Sequence, residues 1–308
     1  MQKPRKTYKK EYCEEIGRGI FYATEVIGGD EEEPREKSVI AELVKNDFPN
    51  LVKIIKSYYW PKVELAEEFI NTMMDAVQKK SSDQAIYELL KEYHSMIVGF
   101  KKDEKERAEA KAKSIISALD KAGIEITSDA DYLDYGCFDG SITLEVAKQL
   151  GIDKKNAHGA DVIKYLDYDF DFKLIQNEYL PFDDESFDVM TIIMTMHHIT
   201  GNIGIFIKEV DRVLKDGGIL IVREHDVSEK QELAAKLLFI QHALFDYVWS
   251  DKTWNIASIE EHAHYKTADE WRELIEDESR LKLLWPRSRR ITSNSPLAKF
   301  THIYMKQA

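Results

Sequence analysis

The alternation of two sequence patterns after residue 128 is the feature that most restricts the fold of this chain. Short apolar segments bounded by Gly, Asp or Asn alternate with stretches in which apolar residues recur every three or four positions. This alternation predicts an α/β domain, a parallel sheet with crossover helices. The predicted strands lie near residues 131–135, 157–161, 173–176, 188–194, 218–223, 281–285 and 300–305. The last two are expected to form a terminal hairpin.

The two ends of the chain differ in texture. Residues 1–125 are predicted to be a helical N-terminal region and residues 126–308 to be the α/β domain. The apolar spacing within 61–80 predicts one amphipathic helix of that region. The segment GGDEEEPREKS at 28–38 is interpreted as a linker or loop. Because no long Pro- or Gly-rich linker separates the two parts, we expect the N-terminal region to act as a lid or a substrate-binding cover.

Composition limits the partners and the compartment. The formal net charge of −13 argues against broad binding to nucleic acid or to an anionic membrane, since both need positive fields. Only Cys13 and Cys137 occur, which excludes a disulfide framework and fits a reducing compartment, so a cytoplasmic location is expected. No apolar run approaches about 18–20 residues, and the basic start lacks the apolar stretch of a secretory signal. No membrane association is expected.

The stretch DYLDYGCFDGS at 131–141 predicts a strand, a tight turn and the start of a helix. Gly136 and Gly140 allow unusual backbone angles and the close approach of a ligand. A dinucleotide site would need a glycine where Phe138 stands, because the pyrophosphate rests on the backbone at that position. Phe138 therefore argues against a dinucleotide cofactor.

The same stretch resembles the first motif, of the form LDLGCGTG, of the class I S-adenosylmethionine-dependent methyltransferases. Further segments of this chain follow in the order of that family: AHGADVI at 157–163, LPFDDESFDVMTIIMTMHHI at 180–199, EVDRVLKDGGILIV at 209–222, and YKTADEWRELI at 265–275 before the hairpin. The resemblance, to a type 11-like methyltransferase domain, implies a Rossmann-like seven-stranded sheet with helices on both faces. It also implies S-adenosyl-L-methionine as the cofactor.

The positions that the resemblance assigns to cofactor binding follow the ends of the first four predicted strands. They are Asp134, Gly136, Cys137, Phe138, Gly140, Asp161, Gln176, Asn177, Ile192 and Ile193. Asp161 would accept hydrogen bonds from both ribose hydroxyls. Gln176, followed by Asn177, stands where the family often has an acidic residue against the adenine amine, and a glutamine carbonyl can also accept from that amine. Ile192 and Ile193 would offer backbone carbonyls.

The candidate catalytic residues follow the fourth and fifth predicted strands, because open α/β sheets bind ligands at the carboxyl ends of their strands. His197 lies in MHHI, and Glu224, His225 and Asp226 lie together in VREHDV. A histidine beside two carboxylates could act as a base with a raised pKa. The alternatives are a structural role for His197 and a salt-bridged loop with Arg223 for the second group.

The segment 237–265 is rich in aromatic residues, which either pack in the core or line an acceptor pocket. His262 and His264 within it could bind a metal, but no third ligand is evident, so no metal site is predicted.

Three functions are compatible with these motifs. The favoured one is methyl transfer to an unidentified acceptor, with a small molecule preferred over RNA. An RNA or cap methyltransferase is the second, since WPRSRR at 285–290 carries three arginines that could contact phosphates. The third is a catalytically silent methyltransferase-fold subunit with a binding or regulatory role, which Phe138 and Gln176 suggest.

Overall fold

The computed structural model describes ten parts of the chain. They are residues 39–59, 63–82, 85–86, 89–90, 104–164, 166–176, 179–199, 201–227, 264–285 and 298–308. The predicted linker at 28–38, Asn177, His262 and the arginines of WPRSRR lie outside them. Within these parts, no helix has both the length and the apolar character needed to cross a membrane.

The helices before the sheet are α1 (Val39–Tyr59), α2 (Val63–Gln78) and α3 (Glu104–Ala122). α1 and α2 contact each other. Ala66, Phe69 and Met73 are buried and fall on one side of α2, which confirms the amphipathic helix predicted within 61–80. The boundary between residues 125 and 126, and the role of the N-terminal region, stay predictions.

Seven strands form one mixed sheet, as predicted. They are β1 (Tyr132–Tyr135), β2 (Ala157–Asp161), β3 (Asp171–Leu174), β4 (Phe187–Ile193), β5 (Leu214–His225), β6 (Leu281–Trp285) and β7 (Lys299–Lys306). Their order in the sheet is β3-β2-β1-β4-β5-β7-β6. The first five are parallel, whereas β7 lies antiparallel between β5 and β6. The terminal hairpin is therefore confirmed.

The third strand lies two residues before the predicted range of 173–176, and the reason is its position at the edge of the sheet. Three of the four β3 residues are exposed, so no apolar run marks them. The apolar residue that suggested the strand is Ile175, which is buried just beyond it and donates its amide to the Asp161 carbonyl at 2.8 Å. The pattern located a buried contact and not the strand itself.

Helices cover both faces of the sheet. Apolar residues of α3 and of α4 (Ser141–Leu150) pack on one face. Those of α5 (Ile203–Val213) and α6 (Ala268–Glu278) pack on the other. The last two begin at capping residues: the Asn202 side chain accepts amides of α5, and Thr267 forms a capping box with Glu270 at α6.

The topology defines where a ligand can bind. The strand order reverses at β1, which lies between β2 and β4. In open α/β sheets, the crevice for a ligand lies at such a point, beyond the carboxyl ends of the strands. The residues that end β1, β2, β4 and β5 therefore border the candidate site.

Candidate active site

The turn between β1 and α4 has a left-handed backbone at three residues. The φ angles are 72° at Gly136, 49° at Phe138 and 72° at Gly140. Glycine adopts this region freely, whereas a residue with a Cβ atom is strained there by about 1–2 kcal/mol. The strain at Phe138 lies at the carboxyl edge of the sheet, where such strain is typical of functional sites.

Two glycines of the turn are also required by close packing. A Cβ atom at Gly136 would lie 2.4 Å from the side chain of Thr195, and one at Gly140 would lie 2.4 Å from the Phe170 ring. Thr195 follows β4, so its contact with Gly136 joins the turn directly to the end of a second strand.

Asp161, at the end of β2, holds the turn from the other side. Its Oδ2 accepts the amide of Phe138 at 2.9 Å, and its Oδ1 accepts the amide of Val162 at 2.7 Å. Burial raises the pKa of the Asp161 carboxyl, although the backbone amides oppose that effect. Its Oδ1 also accepts the amide of Ile163 at 3.3 Å. Since a carboxylate has about four acceptor positions, Asp161 can still accept a bond from a ligand hydroxyl.

Asp134 lies beneath the turn, held by two threonines. Its Oδ2 accepts the hydroxyl of Thr143 at 2.6 Å, and its Oδ1 accepts the hydroxyl of Thr191 at 2.7 Å. Burial raises the pKa of the Asp134 carboxyl to about 6. The carboxylate thus links β1, α4 and β4. The sequence motifs did not identify the two threonines, although the hydroxyl of Thr191 within an apolar strand is a signal that could have identified one of them.

The other residues assigned to cofactor binding differ in accessibility. Cys137 is buried, and its thiol has a raised pKa because burial and nearby carboxylates disfavour the thiolate. Ile192 and Ile193 are buried, and the Ile193 carbonyl accepts the Thr195 hydroxyl at 3.0 Å. Gln176 is exposed just after β3.

An aromatic group near the turn was missed by the sequence reasoning. The Tyr168 ring stacks on Phe172 with 4.3 Å between centroids and lies 5.2 Å from Phe170. The Tyr168 hydroxyl donates to the carbonyl of Phe138. The alternation of aromatic and acidic residues in YDFDF, 168–172, is the signal that could have indicated this group.

The start of α4 indicates which class of ligand fits the turn. Asp139 Oδ1 accepts the Ser141 amide at 3.0 Å and the Ser141 hydroxyl at 2.7 Å. This carboxylate occupies the place at which a helix N-terminus would bind a phosphate, and its negative charge disfavours a pyrophosphate. Asp161, by contrast, suits ribose hydroxyls. The turn therefore favours a nucleoside cofactor without phosphates over a dinucleotide.

A cluster of polar side chains follows β4 and β5. The backbone turns at Met194, with a φ of 55°, and His197 then lies in a short 3-10 turn. His197 Nδ1 is 2.7 Å from Glu224 Oε1, and each side chain is only 1% exposed. Glu224 Oε1 also accepts the His225 amide at 2.7 Å, and its Oε2 accepts the His197 amide at 3.3 Å.

The rings of this cluster pack against one another and against residues that precede α6. The centroids of His197 and His225 are 5.0 Å apart, and Tyr265 stacks on His197 at 5.5 Å. The His264 amide donates to the His197 carbonyl at 2.7 Å. The structure thus brings together three of the four predicted catalytic candidates.

The fourth candidate, Asp226, has a contact that the sequence did not predict. Its Oδ1 accepts the amide of Ala268 at 2.8 Å, which ties the end of β5 to the start of α6. Arg223, whose ion pair with this group was the alternative interpretation, donates to Ser114 Oγ of α3 at 2.7 Å. Whether any of the four residues is catalytic stays a prediction.

Comparisons with known proteins find one family match and similar solved structures. Residues 133–222 match the model of a methyltransferase domain. None of the curated proteins matches the chain. Among solved structures, the YcgJ protein from Bacillus subtilis is 22% identical over 56% of this chain and 69% of its own, with a TM-score of 0.41. An S-adenosylmethionine-dependent methyltransferase from Methanosarcina mazei is 21% identical over 59% of this chain and 95% of its own, with a TM-score of 0.41.

The matched residues 133–222 run from β1 to β5 and include the glycine turn, Asp161 and His197. The seven-stranded sheet and the reversal of strand order at β1 agree with that match. Residues 133–222 therefore match a methyltransferase domain, and the cofactor that this match implies is S-adenosylmethionine.

Proposed function

We propose that the chain is an active enzyme that transfers a methyl group to a small-molecule acceptor. The observation that carries this proposal is the buried cluster of His197, Glu224 and His225 at the same sheet edge as the glycine turn. When bound, S-adenosylmethionine supplies an activated methyl group, whose carbon–sulfur bond breaks as the bond to the acceptor forms.

The contact between Thr195 and Gly136 supports the proposal that the cofactor and the acceptor bind close to each other. Thr195 lies two residues before His197 and packs against the first glycine of the turn. A short path along the chain therefore connects the cofactor turn to the cluster. Methyl transfer requires the acceptor and the methyl carbon at a separation of about 3 Å, and this arrangement can provide such proximity.

The composition of the cluster supports an acceptor that loses a proton. Two imidazoles and a carboxylate can orient an O–H or N–H group and promote the loss of its proton. Their burial favours this chemistry, because excluding water strengthens each polar interaction in the site. We assign the binding and deprotonation of the acceptor to His197, Glu224 and His225. Asp226 is assigned a structural role, in which it positions the start of α6.

A small molecule is supported over RNA by charge and burial. The net charge of −13 opposes the approach of a polyanion. The side chains of His197 and Glu224 are each 1% exposed. A small molecule can reach such buried groups more easily than an RNA chain can. We also assign the region of residues 1–125 to a lid or substrate-binding role, in which it would shield the acceptor from water.

Calorimetric titration of the full chain with S-adenosylmethionine tests the cofactor part of the proposal. Asp161→Ala should weaken binding by about 10- to 100-fold, equivalent to about 1–3 kcal/mol, since the ribose loses its hydrogen-bond acceptor. Asp161→Asn keeps the shape of the side chain but replaces one acceptor oxygen with a donor, so it should also weaken binding. It provides a second test if the alanine variant does not fold. Asp171→Ala, on the exposed edge strand, is the matched control and should bind as the parent does. Equal affinity for all variants would show that the ribose lies elsewhere.

Transfer of labelled methyl groups tests the acceptor part. The full chain is incubated with methyl-labelled S-adenosylmethionine and with separate small-molecule and RNA fractions of a cell extract. We expect label in the small-molecule fraction. Label in RNA alone would show that the acceptor is RNA and not a small molecule. Cofactor binding without any transfer would indicate a catalytically silent subunit.

A further inference from the structure

We propose that His197, Glu224 and His225 form a binding site for a divalent transition-metal cation of the zinc class. Each of the three residues offers one ligand atom, and these atoms all lie within 4.8 Å of one another. All three side chains are buried. No sequence pattern indicated this site, because its ligands come from the ends of two different strands.

The distances between the ligand atoms suit a common cation. Zinc binds imidazole nitrogen and carboxylate oxygen at about 2.0–2.2 Å, so two ligands of a tetrahedral ion lie about 3.4 Å apart. To reach that value, the His197–Glu224 separation of 2.7 Å has to open and the widest separation, which is within 4.8 Å, has to close. Two imidazoles with one glutamate are also a ligand set of catalytic zinc sites, in which a fourth position remains open.

The contact between His197 and Glu224 requires a proton or a cation between the two ligand atoms. His197 Nδ1 and Glu224 Oε1 are 2.7 Å apart, and both atoms accept hydrogen bonds when deprotonated. Either a proton or a metal ion must therefore lie between them. A cation that replaces the proton releases it to solvent and gains His225 as a third ligand.

The backbone holds Glu224 in the orientation that a ligand needs. Its two carboxylate oxygens accept the amides of His225 at 2.7 Å and of His197 at 3.3 Å. Hydrogen bonds of this kind fix the direction of metal ligands in known sites and increase their affinity. The stacked ring of Tyr265 limits rotation of the His197 imidazole in the same way.

The role of the cation rests on the proposed function, but its binding does not. At the open position, a metal-bound hydroxyl of the acceptor has a lowered pKa and releases its proton to solvent. The oxygen then forms the new bond to the methyl carbon while the carbon–sulfur bond breaks. The sulfonium leaves as a neutral thioether, so charge and atoms balance.

Direct metal titration tests the site. The full chain, purified without a polyhistidine tag and treated with a chelator, is titrated with Zn²⁺ against a competing indicator and with Co²⁺ by absorption spectroscopy. We expect about one equivalent per chain. His225→Ala and Glu224→Gln should each lower the affinity by at least about 100-fold. His158→Ala, which removes a histidine on β2 paired with Asp171 of the edge strand β3, is the matched control and should leave the affinity unchanged.

The parent protein keeps this test decisive if a variant does not fold. Failure of the folded parent, checked by circular dichroism, to bind either metal overturns the proposal. So does stoichiometric binding that survives in both folded ligand variants. A parent that binds and methylates with S-adenosylmethionine but holds no metal retains the proposed function and loses this site. A parent that holds one metal but binds no S-adenosylmethionine retains the site and loses the function.

Discussion

The proposed cofactor side of the site consists of residues 134–140 with Asp161, and the proposed acceptor side consists of His197, Glu224 and His225. The two sides are assembled in different ways. On the cofactor side, backbone groups hold the structure: left-handed residues form the turn, and main-chain amides orient Asp161. On the acceptor side, His197 and Glu224, which are 27 residues apart, meet through their side chains. A site built from backbone leaves a local motif in the sequence, whereas one built from distant side chains does not.

The largest expected difference between the two sides is the dependence of stability on Glu224. Glu224→Gln turns an amide donor toward groups that need an acceptor, and it leaves a buried polar contact unsatisfied. We expect the free energy of unfolding to fall by about 3–5 kcal/mol in chemical denaturation. Glu278→Gln, which removes a surface ion pair with Lys208, should change it by less than about 1 kcal/mol. Similar losses in the two variants would mean that the buried pair contributes no more than a surface pair.

A glycine comparison tests whether the cofactor side depends on close packing. Gly136→Ala places a Cβ atom 2.4 Å from Thr195, whereas Gly123→Ala has a similar φ of 68° and meets nothing within 4 Å. Gly123→Ala should cost only the left-handed strain, about 1 kcal/mol, and Gly136→Ala about 3 kcal/mol. Thermal and chemical unfolding measure both. Equal losses would show that Thr195 moves aside without cost, and the connection between the two sides would be loose.

The pH dependence of stability distinguishes the buried carboxylate of Asp134. Its folded pKa of about 6 lies above the ordinary value of 3.8, so the folded state binds more protons between those values. The contribution of Asp134 to the free energy of unfolding is therefore fully present below about pH 4 and is lost as the pH rises through about 6. The total is about 3 kcal/mol.

Asp134→Asn removes that titration while keeping the size of the side chain. The free energy of unfolding of the variant, relative to the parent, should rise by about 3 kcal/mol between pH 4 and pH 7. Urea denaturation at several pH values gives this difference directly. A difference that stays constant with pH would show that Asp134 titrates normally in the folded state.

The sequence predicted most of the fold because the sheet is buried. The strands of the sheet interior carry apolar runs, and those runs marked them; β3 is exposed, so its bounds were displaced toward Ile175. The turn was predicted because Gly136 and Gly140 are needed locally. Thr143, Thr191 and Phe170 were missed, since their contacts with the turn and with Asp134 depend on tertiary packing alone. For the same reason, the sequence suggested His262 and His264 as possible metal ligands and gave no indication of His197, Glu224 and His225.

The smallest expected effect concerns Phe138, the residue in which the turn departs from the family motif. The backbone amide of Phe138 donates a hydrogen bond to Asp161, and its carbonyl accepts one from the Tyr168 hydroxyl. A glycine at this position can keep both hydrogen bonds. Phe138→Gly relieves about 1 kcal/mol of left-handed strain, but it increases the entropy of the unfolded chain by a similar amount. We expect the free energy of unfolding to change by less than about 1 kcal/mol, with S-adenosylmethionine bound as tightly as by the parent or more tightly.

Phe138→Ala separates the ring from the strain, because it removes the ring and keeps the Cβ atom in the left-handed region. If strain alone matters, the alanine and glycine variants should differ in stability by less than about 1 kcal/mol, because the strain that alanine keeps is offset by the unfolded-state entropy that glycine adds. Calorimetry should then find the same affinity for S-adenosylmethionine in both. If both variants fold and neither binds, the ring forms a wall of the cofactor pocket. The cofactor side would then depend on a side chain as much as the acceptor side does.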